Sequence, residues 1–480
     1  MGVLAAFALP TARAQEAGHP HLDAVPVPVI ENAPGAFSAT LSRYTCDPQK
    51  CRLPHCQCAQ TEPPAGLAPA QTPQFLLLTF DDCVNSMSDD EVHSLFDGSL
   101  KNPDGRPVPL TYFLSLENCP EGLRTDAALV RERYRTGNEI AIHTRTHTTY
   151  DTTSAVAWRA EMLAVRDFIA ANDIGRGVGF RAPFVATNAA MFESLRNLNF
   201  LYDSSVFESP FYSPLSRGPG QLIWPYTLDT WSNEPALRAQ NCEQFVPYNK
   251  CAATPQPGLW EIPLYYYVTD ADPQKSRYLG AFDVGNPVYN PGSPALTPDS
   301  LVQVLDLQFN ARYNNNRAPM NFYFHAPNLS DPGRRNAYRV VLEAALSRGD
   351  VWAVTMQGLV EWMQAPVPVS EMAAWYDAYC SRHTCTLRGT AAEDNVAQQT
   401  ARLRVFPNPA ATVATAEVHT EAPGAVVTIH NVHGQEVRRH HLSSSGRQHV
   451  ALDLADLASG LYLVHVRDGH RVHTQKLVRH

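Results

Sequence analysis

Residues 75–82 read FLLLTFDD, an apolar run that ends in two adjacent carboxylates. A continuous apolar run of this length is typical of a strand that is buried on both faces. Runs of the same kind follow along the chain, at residues 110–116, 139–144, 177–184, 200–206, 222–228, 259–267 and 321–325. Between several of them lie stretches with helical spacing, at residues 155–171, 189–197, 300–313 and 335–347. This alternation predicts an α/β fold with a parallel sheet, either open or closed into a barrel.

The chain of 480 residues is longer than one hydrophobic core usually supports, since single cores stop growing near ~250–300 residues. Alternating apolar runs separated by glycine turns near the C-terminus predict a small all-β module. The changes in texture divide the chain into a signal-peptide remnant at 1–14, a loop-rich, cysteine-containing leader at 15–72, the α/β domain at 73–386, a polar linker at 387–401 and a β-sandwich domain at 402–480.

Several features predict an exported protein. A short apolar stretch followed by Ala-Arg-Ala at residues 12–14 is typical of a signal-peptide cleavage site. The ten cysteines are even in number and fall in tight groups without a paired CxxC motif, which favours disulfides over a zinc site. No other run approaches the ~20 apolar residues that are needed to cross a bilayer. We therefore expect a secreted or cell-surface protein.

The overall charge limits the class of partner. The net charge of −9 leaves no basic surplus to neutralise phosphates, which argues against nucleic acid as the main partner. A neutral polymer is compatible with this balance.

The strongest chemical signal lies at the ends of two predicted strands. Asp81 and Asp82 close the first strand, where adjacent carboxylates are costly unless a cation or an arginine neutralises them. His143 and His147 are four positions apart, so both imidazoles lie on one face of a helical turn. Taken alone, the aspartate pair is also typical of a surface turn, and a histidine pair with this spacing is often incidental. Together, Asp82, His143 and His147 form a His₂Asp set with one position left for water, which is the catalytic pattern of Zn²⁺.

Two further residues stand at the ends of apolar runs. Arg181 opens the segment RAPF, and an arginine beside a carboxylate holds it ionised and oriented. His325 closes the run at 321–325. A histidine in such a position is more often structural than catalytic, but a barrel would point it at the same mouth as the metal.

These pieces, in this order, resemble the motifs of the polysaccharide deacetylase family (carbohydrate esterase family 4), and most closely its arthropod-type chitin deacetylases. The resemblance covers residues 44–385, includes the cysteine segment 46–58, and implies a distorted (β/α) barrel. The motifs that carry it are DDCVN at 81–85, RAPF at 181–184, YDSS at 202–205, WPYTLD at 224–229, GLWE at 258–261 and YFHA at 323–326.

The resemblance also implies roles for individual residues. The metal ligands would be Asp82, His143 and His147. The remaining roles would be Asp81 as general base, Arg181 orienting Asp81, His325 as general acid, Asp229 buttressing His325, and the backbone N–H of Phe184 binding the developing oxyanion. Trp231 and Trp260 are candidates for stacking on a sugar, and we expect one of them to be a core residue.

Two departures from the family pattern affect these expectations. Cys83 replaces the small residue expected after the aspartate pair; a disulfide with Cys119 is the preferred interpretation, and a thiol ligand to the metal is the alternative. The motif around Asp229 is compressed, which weakens the role assigned to that residue.

The C-terminal module resembles a type IX secretion sorting domain. The resemblance rests on VFPNPA at 405–410, IHNVHG at 429–434, GLYLV at 460–464 and KLV at 476–478. It implies recognition by a secretion machinery and no catalytic role. The alternative is an accessory β-sandwich that binds carbohydrate.

The expected function is metal-dependent hydrolysis of N-acetyl groups from chitin or a related N-acetylglucosamine polymer. The same site could serve deacetylation of peptidoglycan or of acetylxylan. A catalytically silent chitin-binding protein is a rival of another class. The intact set of Asp81, Asp82, His143, His147 and His325 argues against that rival.

Overall fold

The computed structural model describes residues 46–479 except 120–122, 212, 214, 231–247, 289–292, 386–402, 407–409, 421–422, 432–434 and 469–470. The remnant predicted at 1–14, the linker predicted at 387–401 and the stacking role predicted for Trp231 lie outside the described residues. The boundaries assigned to the five parts of the chain remain predictions.

A mostly parallel sheet organises the residues between the leader and the linker. The described strands there are β1 (Gln74–Asp82), β2 (Thr111–Leu114), β3 (Glu139–Ile142), β4 (Gly179–Phe180), β5 (Tyr202–Asp203), β6 (Phe207–Glu208), β7 (Tyr226–Leu228), β8 (Gln256–Glu261), β9 (Leu264–Tyr265), β10 (Met320–Phe324) and β11 (Val351–Ala353). The main sheet has the order β10-β1-β2-β3-β4-β5-β8-β7, and β11 also pairs with β1. Only β7 runs antiparallel to its neighbour, and β6 and β9 form a separate parallel pair.

The sheet curls and carries helices, which confirms the expected distorted (β/α) barrel. Strand β1 lies in the interior of this sheet, because it pairs with β2, β10 and β11. Its side chains enter two separate cores: Leu76 and Leu78 pack in one, and Phe75 and Leu77 in the other. Burial on both faces explains why the opening run is continuously apolar instead of alternating with polar residues.

Helices follow the strands along this part of the chain. They are α1 (Ser86–His93), α2 (Ala127–Arg135), α3 (Ala155–Ala171), α4 (Ala189–Asn197), α5 (Pro298–Tyr313), α6 (Pro332–Leu346), α7 (Met356–Gln364) and α8 (Met372–Cys380). The helices predicted at 155–171 and 189–197 coincide with α3 and α4. Ser154 and Asn188 begin these two helices by accepting backbone N–H bonds from the first turn. No helix in the described part combines the length and the apolar character that crossing a bilayer requires.

The C-terminal residues form antiparallel sheets, which confirms the predicted all-β module. Its strands are β12 (Leu403–Phe406), β13 (Val413–Thr420), β14 (Val426–Asn431), β15 (Glu436–His441), β16 (Gly446–Asp453), β17 (Gly460–Asp468) and β18 (Arg471–Arg479). One sheet has the order β12-β13-β16 and the other β15-β14-β17-β18. Alternate residues of β13, including Ala414, Ala416 and Val418, enter a shared core.

Disulfides staple the leader and the edge of the barrel. Cys46 pairs with Cys58 and Cys51 with Cys56, so these thiols are not available as metal ligands. Cys83 pairs with Cys119, and Cys380 pairs with Cys385. The preferred interpretation of Cys83 as a disulfide partner of Cys119 is therefore confirmed, and its alternative role as a metal ligand was wrong.

A buried carboxyl group stands at the start of β3. Glu139 accepts hydrogen bonds from the Tyr202 hydroxyl at 2.7 Å, the Gln357 backbone N–H at 2.8 Å and the Thr111 hydroxyl at 3.1 Å. Burial raises the pKa of Glu139 to about 7, although these hydrogen bonds partly oppose the rise. The folded state therefore holds this proton at a pH where an unfolded chain has released it.

The Glu139→Gln variant should lose less stability at rising pH than the unmodified protein. Between about pH 4.5 and pH 7 the unfolded state binds fewer protons at this position than the folded state, so the free energy of unfolding falls as pH rises. We expect the variant to reduce the fall between pH 5 and pH 8 by on the order of 1–3 kcal/mol, measured by urea unfolding. The variant Glu371→Gln, at an exposed position, should follow the unmodified protein. Parallel curves for Glu139→Gln and the unmodified protein would contradict the assignment.

Candidate active site

Five polar side chains meet near the carboxyl ends of β1, β3 and β10: Asp81, Asp82, His143, His147 and His325. Asp81 and Asp82 end β1, His143 follows β3 directly, and His325 follows β10 directly. Strand β1 pairs in parallel with β10 on one side and with β2 on the other, and β3 follows β2. Parallel strands bring their carboxyl ends to one edge of a sheet, so residues that are 244 positions apart in sequence become neighbours.

Asp82, His143 and His147 are arranged as ligands of one ion. Their ligand atoms lie within 4.8 Å of one another. The Nε2 atoms of His147 and His143 are 3.4 Å and 3.8 Å from Asp82 Oδ1. The backbone carbonyl oxygen of Arg181 accepts a hydrogen bond from His143 Nδ1–H at 2.8 Å, which leaves the Nε2 lone pair for a metal. Two neutral imidazoles and one carboxylate are a donor set that suits Zn²⁺, so these residues fit the expected metal.

The backbone around this group adopts a rare conformation. Asp82, Thr144 and His147 have φ values of 81°, 68° and 52°. Residues other than glycine rarely occupy this left-handed region, and such strain concentrates at functional sites. The conformation therefore supports a functional reason for the arrangement of these side chains.

Electrostatics favour the ionised carboxylate and the neutral imidazole. Burial raises the pKa of Asp82, but the charges of His147, His325 and His143 together lower it by more than burial raises it. The net shift of the Asp82 pKa is therefore downward. Burial lowers the pKa of His147 to about 4, and Asp82 offsets only part of this effect. These are the protonation states that coordination of a cation needs.

Arg181 holds Asp81 in place. Its guanidinium is fully buried and donates to Asp81 Oδ1. The same guanidinium donates to the Thr79 hydroxyl and to the Ser204 carbonyl, each at 3.1 Å, and it lies 3.8 Å from the centroid of the Phe113 ring. The structure thus gives the contact that the resemblance implied, with Asp81 Oδ2 turned towards His143 Nε2 at 3.9 Å.

His325 is supported by Asp283 and not by Asp229. The Asp283 carboxylate accepts from His325 Nδ1 at 2.6 Å and from the His325 backbone N–H at 3.1 Å. Asp229 instead accepts from the backbone N–H of Gly258 at 3.0 Å. The contact predicted for Asp229 was therefore wrong, because the fold brings the loop at residue 283 beside β10. That loop carries no periodic signal from which its position could be read.

Burial and charge have opposite effects on His325. Burial is the largest single effect and lowers the pKa of His325, but the charge and hydrogen bond of Asp283, with smaller contributions from Asp82 and Asp81, together outweigh it and raise the pKa to about 9. Its Nε2 atom faces Asp82 Oδ2 at 4.0 Å. A cationic imidazole whose Nε2–H is directed at the centre of the site is suited to donate a proton.

Phe184 lies on a turn beside the candidate metal ligands. Its backbone has a φ of 54°, and its ring meets the His147 ring edge-on at 4.5 Å. The Phe184 N–H donates to no residue in the described part of the chain. It is therefore available to a ligand, as the oxyanion role requires. Of the two tryptophans considered for stacking on a sugar, Trp260 is a core residue, as expected of one of them: it is only 1% exposed and does not serve as a stacking surface.

Two buried carboxyl groups, which lie in the motifs YDSS and GLWE but received no role from the sequence, support the turn that carries Phe184. Asp203 and Glu261 are register partners on β5 and β8. Asp203 accepts from the Ser205 hydroxyl at 2.7 Å, and that hydroxyl oxygen accepts from the Ala182 backbone N–H at 2.9 Å. Burial raises the pKa of Glu261 well above its usual range, so one proton remains in this pair. These two hydrogen bonds link Asp203 through Ser205 to Ala182 and so fix the start of the turn that carries Phe184.

A large groove of about 1360 Å³ lies elsewhere, at the opposite ends of the strands. Its lining includes Glu139, Leu201 and Leu259 and none of the five converging side chains. The donor set, and not the size of a cavity, therefore identifies the candidate active site.

Comparison with known proteins gives two family matches. Residues 69–202 match the family described as "Polysaccharide deacetylase". Residues 404–480 match the family described as "Secretion system C-terminal sorting domain", and this domain indicates a secreted protein.

Similar proteins extend the first match. The chain is 30% identical over 359 residues to chitin deacetylase 1 of Bombyx mori, covering 72% of this chain and 61% of that protein. It is 26% identical over 341 residues to chitin deacetylase 8 of the same organism, covering 68% and 79%. The chain thus spans about three fifths of the first relative's length. It is also similar to the solved chitin deacetylase of the fungus Colletotrichum lindemuthianum, with 11% identity, a TM-score of 0.33 and coverage of 61% and 90%.

Removal of a candidate ligand should abolish tight metal binding. The variants His143→Ala and His147→Ala each delete one nitrogen donor, and we expect the affinity for Zn²⁺ to fall by more than the ~10–100-fold cost of outer-shell changes. Competition with a chromophoric chelator measures this affinity. The exposed His419 in β13 offers a control, and His419→Ala should bind one equivalent as the unmodified protein does. Equal affinity in all four proteins would exclude this site.

Proposed function

The chain contains a polysaccharide deacetylase domain followed by a secretion sorting domain, and from this premise we propose that it hydrolyses N-acetyl groups of chitin or a related N-acetylglucosamine polymer and releases acetate. The observation that carries the proposal is the meeting of Asp81, Asp82, His143, His147 and His325 at one edge of the sheet. We further propose that a divalent metal, Zn²⁺ in the first instance, takes part, and that the secretion machinery recognises the C-terminal domain.

The metal would be held by Asp82, His143 and His147. When bound, it would supply a Lewis acid that polarises the amide carbonyl and makes water more acidic. The rest of the chemistry belongs to side chains and backbone of this chain.

Asp81 would act as the general base. Arg181 occupies its Oδ1 atom, so Oδ2 would accept the proton of the water that attacks the acetyl carbon. The backbone N–H of Phe184 would donate to the carbonyl oxygen as negative charge develops on it. Breaking the C–N bond then requires a proton on the leaving amine, and His325 would donate it from Nε2. Asp283, bonded to Nδ1, would stabilise the imidazolium before that transfer.

The same group of residues is compatible with other acetylated polymers. Peptidoglycan or acetylxylan deacetylation needs the same attack on an acetyl carbonyl, and a chitin-binding protein without activity remains the rival of another class. In this protein the acid, the base and the three candidate metal ligands lie together. This arrangement favours an enzyme, because a protein that only binds chitin does not need all five groups.

Loss of the base or of the acid should abolish most activity. We expect Asp81→Asn and His325→Ala each to lower kcat by ~10²–10⁴-fold, measured as acetate release from chitin oligomers, colloidal chitin, peptidoglycan and acetylxylan. A chelator should stop release by the unmodified protein, and added Zn²⁺ should restore it. Chitin left intact while another polymer loses acetate would reject the proposed substrate. No release from any of them by the metal-loaded protein would favour the silent binding protein.

The pH profile should separate the roles of Asp283 and Asp229. Asp283 raises the pKa of His325, so Asp283→Asn should lower that pKa and move the alkaline fall in kcat to lower pH. The expected displacement is about one pH unit or more, since a neutral amide removes the largest of the effects that oppose burial. Asp229→Asn should leave this limb in place. The reverse result would return the supporting role to Asp229.

A further inference from the structure

A row of aromatic rings leads outward from the candidate metal ligand His147. The Phe184 ring is 4.5 Å from the His147 ring between centroids. Tyr150 follows at 6.2 Å from Phe184, and Tyr248 at 5.1 Å from Tyr150. Tyr150 remains 40% exposed at the outer part of this row, whereas Trp260 is only 1% exposed. The row therefore joins the active site to an aromatic surface that solvent, and hence a ligand, can reach.

The backbone fixes the position of Tyr150. Its N–H donates to the Thr153 hydroxyl at 2.7 Å, and its carbonyl accepts from the Thr153 N–H at 3.0 Å. The Asn188 side-chain amide donates to the carbonyl oxygens of Asp151 and Thr153, each at 2.8 Å. A tight turn that is tied at both ends to neighbouring residues presents the ring without a large entropic cost on binding.

Tyr248 is tied to the same stretch of chain. Its carbonyl oxygen accepts from the Thr187 N–H at 3.1 Å. The next residue, Asn249, is buried and donates to the Val185 carbonyl at 2.6 Å. Residues 185–188 follow Phe184 directly and thus anchor the segments of both tyrosines. The position of the aromatic surface is coupled by this anchorage to the position of the turn at Phe184.

We propose that Tyr150, with Tyr248 beside it, forms a subsite that stacks on the sugar ring next to the unit whose acetyl group reacts. This inference rests on the proposed function, and it names Tyr150 as a residue that binds the polymer and not as a catalytic residue. A β-linked pyranose presents apolar C–H faces and polar edges, so a rigid ring with a hydroxyl at its rim complements it. The substrate class is a neutral oligosaccharide of at least two units, which matches a protein with no basic surplus.

The subsite should affect binding of long substrates more than chemistry. Tyr150→Leu keeps apolar volume but removes the flat face, and we expect it to raise the KM for chitotetraose about tenfold while kcat changes little. Tyr150→Phe should retain most of the affinity. Val156, exposed by 71% on α3, provides the control Val156→Ala, which should behave as the unmodified protein.

Binding without turnover separates this inference from the proposed function. Calorimetric titration of chitotetraose into Asp81→Asn and into Asp81→Asn with Tyr150→Leu compares the two affinities directly. A loss of about tenfold in the double variant supports the subsite even if no polymer releases acetate. Equal affinities, with thermal unfolding showing both proteins folded, overturn the subsite even if acetate release is normal. If Tyr150→Leu fails to fold, the affinities of Tyr150→Phe and Tyr248→Leu are compared in the same way. A loss of about tenfold in Tyr248→Leu relative to Tyr150→Phe supports the subsite, and equal affinities overturn it.

Discussion

Two carboxylates at the end of a buried strand need two different partners, and the architecture of the site follows from this constraint. Asp81 is neutralised within the protein, by a guanidinium that is itself fully buried. Asp82 has no such partner among the described residues; three imidazoles surround it instead. Both carboxylates nevertheless face the same imidazole, since His143 Nε2 lies 3.9 Å from Asp81 Oδ2 and 3.8 Å from Asp82 Oδ1. A cation at Asp82 would complete the charge balance that Arg181 provides at Asp81.

The barrel supplies the geometry for this division. Strand β1 is held by neighbours on both edges and carries its aspartates to the sheet edge where β3 and β10 also end. Asp82 and His147 both have a positive φ, a conformation that persists only where the surrounding structure holds the backbone in place. The strained backbone thus lowers the stability of the fold in order to hold these polar groups together, an arrangement that core packing alone would not favour.

Local patterns revealed most of the site, and tertiary contacts explain the rest. The aspartate pair, the HxxxH pair and the strand-end histidine are each contained in a few residues, so the sequence could identify them. Helices α3 and α4 were also readable, because their apolar spacing is regular and a capping residue begins each. Asp283 was missed because its only relevant contact is with a residue 42 positions away. For the same reason the sequence left open which of the two tryptophans is a core residue, because the place of Trp260 depends on how β8 packs and not on its own motif.

The central claim is that one ion binds at Asp82, His143 and His147 while His325 stands beside it as a general acid and does not coordinate it. A crystal structure of the zinc-loaded protein with anomalous scattering at the zinc edge tests this directly. The account predicts one strong peak, ~2.0–2.2 Å from a carboxylate oxygen of Asp82 and from both Nε2 atoms, with His325 outside the coordination shell and bonded to Asp283. A peak at another position, or an ion that takes His325 as a ligand, would contradict it.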